Sequence, residues 1–91
     1  MSNMSWKEFQ NWQRWDEFQE CSDNPPLTVD VSFVYENNVY YIVYDYGEYH
    51  IYDSKWNAIN SHKNIKTLLS NPIALFHGKS FAETCNELDF D

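Results

Sequence analysis

Apolar and polar positions alternate most cleanly between Leu27 and Tyr35. Leu27, Val29, Val31, Phe33 and Tyr35 fall on one side of a period-two pattern, Thr28, Asp30 and Ser32 on the other, and Val34 alone is out of phase. That period marks a strand with one buried face. The next stretch, Val39 to Asp45, is apolar or aromatic on both faces, with Val39, Tyr41 and Val43 against Tyr40, Ile42 and Tyr44. A strand of that kind belongs inside a sheet. A third runs from Tyr49 to about Asp53. Asn37-Asn38 and Tyr46-Gly47-Glu48 connect the three, and Asn and Gly tolerate the positive φ of a tight hairpin.

Before the strands, the pattern predicts a helix from Ser5 to Cys21. Ser5-x-x-Glu8 has the form of a capping box, and no Gly, Pro or β-branched residue interrupts Trp6 to Cys21. Large rings recur every third position, at Trp6, Phe9, Trp12, Trp15 and Phe18. On a continuous helix each step of three falls about 60° short of a full turn, so the stripe winds around the helix. From Phe9 to Phe18 it spans about 180°, wider than one packed face of about 100°. Part of the stripe is therefore expected to meet another molecule. Pro25 and Pro26 close the segment.

After Ser54 the alternation fades, and Trp56, Ala58 and Ile59 either extend the sheet or anchor a loop. A short helix is predicted from Asn60 or Ser61 to Ser70, with Ile65, Leu68 and Leu69 inward, ended by Asn71-Pro72. Ile73 to Phe76 reads as an apolar connector. A second capping box, Ser80-x-x-Glu83, opens a last helix that turns Phe81, Cys85 and Leu88 inward. The expected fold is α+β: an N-terminal helix, a three-stranded antiparallel β-meander, and two short C-terminal helices packed on one face of the sheet. Residues 1–91 suit a single domain, since a chain of 91 residues buries enough surface for one modest core. An aromatic content of 19% argues against disorder.

Charge sharpens the functional reading. The net charge is −8, and it is unevenly spread: −8 over residues 1–53, +4 over 54–82 and −4 over 83–91. Such a balance opposes direct contact with nucleic-acid backbone or an anionic membrane. No apolar run nears the roughly 18 residues of a membrane span, and no basic-then-apolar leader opens the chain. A cytoplasmic location is expected, with Cys21 and Cys85 as free thiols near the core.

Chemistry-bearing patterns are sparse. His50, His62 and His77 fall in no nucleophile motif and at no metal-ligand spacing, and Gly78-Lys79-Ser80 lacks the leading glycine of a phosphate loop. No catalytic, cofactor or metal site is expected. The tyrosine-rich strands suggest a stacking platform for single-stranded nucleic acid, but carry Asp30, Glu36, Asp45, Glu48 and Asp53 in place of a basic groove. The order helix, three strands, helix is similar in outline to the double-stranded-RNA-binding domain, with Lys63 and Lys66 near the start of the second helix. Acids on the first helix and the turns run against that function.

Two functional expectations follow. The first is a small acidic, non-enzymatic protein-interaction module, a regulator or inhibitor, binding a protein partner or a second copy of itself through Trp12, Trp15, Phe18, Glu17 and Glu20. The second is an acidic decoy that mimics nucleic acid and occupies the groove of a DNA- or RNA-binding protein. Asp30, Glu36, Asp45 and Glu48 would then form the mimicking face.

Overall fold

The computed structural model describes residues 3–90. Helix α1 spans Trp6–Trp12; strands β1 to β4 are Val31–Tyr35, Asn38–Asp45, Glu48–Asp53 and Ala58–His62; helix α2 is Ile65–Ser70, helix α3 is Phe81–Thr84, and strand β5 is Asp89–Phe90. The class is α+β, as the patterning indicates, but the sheet has five strands instead of three, ordered β4-β3-β2-β1-β5. Every neighbouring pair is antiparallel. Strand β2, apolar on both faces, lies at the centre of that order.

The β1–β2 and β2–β3 hairpins each close through two residues at positive φ, Glu36 (50°) with Asn37 (65°), and Tyr46 (51°) with Gly47 (77°). Two such residues give the backbone twist that matches right-twisted strands. The first turn thus sits one residue earlier than Asn37-Asn38. Strand β4 pairs with β3 through a bulge between Ile51 and Tyr52. Of the two readings open for this stretch, Ala58 and Ile59 take the sheet and Trp56 the loop; His62 leaves the predicted helix, and α2 starts at Ile65 with Asn64 as its N-cap. Strand β5 pairs only Phe90 and Asp89 with Phe33 and Val34.

The first helix departs furthest from expectation. The capping box forms, with Glu8 N–H donating to Ser5 Oγ at 3.1 Å and Ser5 N–H to Glu8 Oε1 at 2.8 Å. The α-helix nevertheless ends at Trp12. Arg14 adopts the left-handed conformation (φ 60°, ψ 35°), and 3₁₀ turns follow at Trp15–Glu17 and Gln19–Cys21. The cause is Gln13, whose side chain is fully buried. Its Oε1 accepts from Thr28 N–H at 2.8 Å and Val29 N–H at 3.0 Å, and its Nε2 donates to the Val29 carbonyl at 3.0 Å. Thr28 Oγ1 also donates to the Gln13 carbonyl at 2.6 Å. One amide thereby does for the segment before β1 what a neighbouring strand would do, because buried backbone polar groups must find partners. Strand β1 begins at Val31, not Leu27, for the same reason.

The core lies on one side of the sheet. Phe9 of α1, Ile65, Leu68 and Leu69 of α2, and Phe81 of α3 pack with Cys85 and Leu88 onto Val31, Phe33, Tyr40, Ile42, Tyr49, Ile51 and Phe90. Phe9 and Phe81 meet edge to face at 5.2 Å, and Phe33 and Phe81 at 5.5 Å, both within the favoured range for ring pairs. The second capping box is also present, with Ser80 and Glu83 each accepting from the other's backbone N–H at 3.0 Å. The helices pack on this inner face, so among the described residues the outer face of the sheet carries no helical layer.

Candidate functional site

The break at Gln13 changes the fate of the aromatic stripe. With the chain turned at Arg14, the rings of Trp6, Trp12 and Trp15 converge on Phe9, at centroid distances of 5.5, 5.8 and 5.9 Å. Trp15 is buried, its indole N–H donates to the Pro26 carbonyl at 2.9 Å, and Lys66 Nζ stands 5.8 Å from its ring centroid. Trp12 is half-buried, edge-on to Phe90, and Phe18 is half-buried within the 3₁₀ segment. The stripe divides: the core takes up Phe9 and Trp15 fully and packs Trp6 and Trp12 against its rim, while Phe18 stays half-buried. Glu17 and Glu20 remain exposed, and Glu17 pairs with Arg14 at 2.9 Å. The expectation that Cys21 lies near the core is corrected, since it is exposed. Cys85 is buried, and that burial pushes its thiol up to about 12.

The four strand carboxylates divide between two ends of the sheet. Asp45 and Glu48 sit directly opposite each other at the β2–β3 turn. Asp30 lies towards the same end, just before Val31, which pairs with Ile42. Glu36 lies at the far end, in the β1–β2 turn, with its Oε2 3.2 Å from His77 Nε2. Strand β2 separates the two groups by seven residue steps, roughly 23 Å at 3.3 Å each. Three of these four groups therefore lie towards one end of the sheet and the fourth at the other, not in an evenly spaced row.

The large apolar side chains that stay exposed among the described residues are elsewhere: Tyr44 at 57%, Tyr46 at 92%, Trp56 at 60% and Ile59 at 37%. Trp56 occupies the β3–β4 turn and folds back over the outer face of the sheet. It stacks on Tyr41 at 4.8 Å and 11° and meets Tyr52 edge-on at 5.6 Å. Tyr41 and Tyr52 are directly paired across β2 and β3, next to Val43 and His50 on the same face. The turn is held by Asp53, whose Oδ1 accepts from Lys55 N–H and Asn57 N–H, each at 2.9 Å. These bonds, Asn57's first, lower the Asp53 carboxyl below its ordinary value. Trp56 itself has φ 63°. A bulky side chain in that region costs on the order of 1 kcal/mol, a cost that Gly or Asn would largely avoid.

Beside this stack runs a groove of about 390 Å³, with Asp30, Tyr41, Val43, Tyr44 and Trp56 among its lining residues. No family model, curated protein or solved structure matches this chain. Its reading therefore rests on the residues themselves.

His50 carries the one serine–histidine contact in the described hydrogen bonds. Its Nε2 lies 2.9 Å from the Asp45 carbonyl, which can only accept, so Nδ1 accepts from the Ser61 hydroxyl. The contact bridges β3 and β4 on the open face, where Ser61 is exposed and water is not excluded. It fastens one strand to the next. Among the described residues no group of three or more His, Cys, Asp or Glu is placed to hold a metal ion, and no helix is long and apolar enough to cross a membrane.

Sequence reasoning missed Tyr41, Val43 and Trp56 as a site. The signal was the two-faced character of β2. It counts as core only if both faces are covered, and the chain has helices enough for one.

Proposed function

We propose that this chain is a non-enzymatic protein-interaction module that binds its partner through the outer face of the sheet. The observation that carries this is Trp56: an indole ring 60% exposed, stacked on Tyr41, and held by a turn whose backbone is strained at that residue. Large rings on an uncovered, ordered surface suit recognition, since Trp and Tyr bury much area at small cost in side-chain freedom. The helix-one residues serve mainly to build the core, leaving Glu17 and Glu20 as a solvated acidic flank.

The test is affinity capture from the native host with the wild-type chain and Trp56→Asn side by side, Asn being chosen because it tolerates positive φ. A protein retained by the wild type and lost by the variant, at equal thermal stability, is the expected result. Equal recovery of all partners by both chains would remove the outer face from the reading.

A further inference from the structure

We propose that the groove beside Trp56 receives an arginine side chain from a basic segment of the partner, with Asp30 as its carboxylate and the rings of Tyr41 and Trp56 as its walls. This rests on the interaction reading above and names the chemistry of the partner.

The groove exists because of Gln13. Pairing between β1 and β2 stops at Val31 and Ile42, although β2 continues to Asp45. The backbone that would have extended β1 alongside it, at Thr28 and Val29, is bound by the Gln13 amide instead. The two segments part, and the space of about 390 Å³ between them is lined by Leu27, Val31 and Val43 together with Tyr41 and Trp56.

Asp30 supplies charge to that lining, is exposed, and makes no ion pair among the described residues. Asp45 and Glu48 stand at the same end of the sheet. Rings beside a carboxylate match a guanidinium group, which is planar, stacks on aromatic faces and bonds a carboxylate through two N–H groups at once. A net charge of −8 adds attraction for a basic segment at longer range. The same charge opposes a second copy as occupant. Moreover, the sequence holds one arginine, Arg14, already tied to Glu17.

The test titrates the full chain, labelled for amide NMR, with a Gly-Ser peptide carrying several spaced arginines, and with the same peptide carrying citrulline, the neutral isostere. The arginine peptide should shift the Trp56 indole N–H and the Val43 amide, and the citrulline peptide should not. Asp30→Asn should weaken binding about tenfold, the loss expected for one charge-assisted pair. Glu36→Gln alters net charge equally at the far end of the sheet and should change it less than about twofold. Equal weakening by both variants would show diffuse attraction and overturn the proposal. So would shifts mapped away from the groove, binding of an acidic peptide or an oligonucleotide at Trp56, or Trp56-dependent self-association on sizing. Host capture that depends on Trp56 without arginine-peptide binding would sink this inference and leave the proposed function standing. Peptide binding in the groove without Trp56-dependent capture would do the reverse.

Discussion

The two faces of the sheet are both aromatic, and they use different aromatics. On the inner face five of the six phenylalanines, Phe9, Phe33, Phe76, Phe81 and Phe90, are buried together. On the outer face the rings are Tyr41, Tyr52 and Trp56, each with a polar group that can reach water. The inner side also holds Trp15, Tyr40 and Tyr49, with Trp6, Trp12 and Tyr35 packed at its rim, and burial raises the Tyr40 and Tyr49 hydroxyls above the ordinary tyrosine value. A phenylalanine ring gains nothing from water, whereas Tyr and Trp suit a surface that is apolar in body and wet at the edge. Aromatic content alone therefore says little about where a surface lies; the absence of Phe from the outer face says more.

Substitution at Phe81 should expose this difference most strongly. Its ring touches those of Phe9, Phe33, Phe76 and Phe90 and is fully buried, so Phe81→Ala should cost about 3–5 kcal/mol in urea unfolding. That is a large share of the roughly 5–15 kcal/mol a domain has to lose. A loss under about 1 kcal/mol would mean that the inner cluster is loosely packed and that the contrast between faces fails.

Next in size is Gln13→Leu. Leucine has nearly the same volume but leaves Thr28 N–H, Val29 N–H and the Val29 carbonyl without their partner. The expected cost is about 2–4 kcal/mol, less than the sum of three unpaired groups because Thr28 is exposed and water can reach it. Amide exchange at Thr28 and Val29 should accelerate in step. Unchanged protection there would show that the segment is held by something other than the amide.

These two residues mark how far the fold is legible in sequence. Both capping boxes, the centrality of β2 and the inward set Ile65, Leu68 and Leu69 follow from local pattern, because their causes lie within a few residues. The end of α1 does not. Gln13 stops the helix by bonding to a segment 15 and 16 positions away, and nothing around Gln13 announces that. Strand β4 is illegible for a related reason: Ala58-Ile59-Asn60-Ser61-His62 has no alternation of its own and becomes a strand by pairing with β3. The site shared that fate, since Trp56 acquires its meaning only when the turn brings it over Tyr41. The helix-one stripe misled because its winding assumed a helix that continues past Arg14.

A smaller effect should appear on acidification. Asp53, in the turn that presents Trp56, and Glu83, in the α3 capping box, both have carboxyls held below their ordinary values by backbone N–H donors, Asn57 and Ser80 foremost. A carboxyl lower in the folded than in the unfolded chain contributes stability at pH above its unfolded value, and that contribution is lost as pH falls through the folded one. Stability should therefore decline from about pH 4.5 downward. The double variant Asp53→Asn with Glu83→Gln should be less stable than the wild type at neutral pH and should lose less on acidification. Parallel pH profiles for the two chains would show that neither carboxyl is coupled to folding.

The smallest change in stability belongs to the outer face, and it decides what that face is for. Trp56→Asn removes a stacked ring, a contact of about 1 kcal/mol, and it relieves a side chain forced to φ 63°. The two effects oppose each other, so unfolding free energy should move by no more than about 0.5 kcal/mol. Tyr41, uncovered by the change, should show a shifted fluorescence and faster quenching by iodide. A loss approaching that of Phe81→Ala would mean that Trp56 closes a second small core over the sheet, and the outer face would then be structure rather than surface. A near-zero change in stability with loss of partner binding separates the two faces by role: one ring set holds the chain together, and the other meets what comes to it.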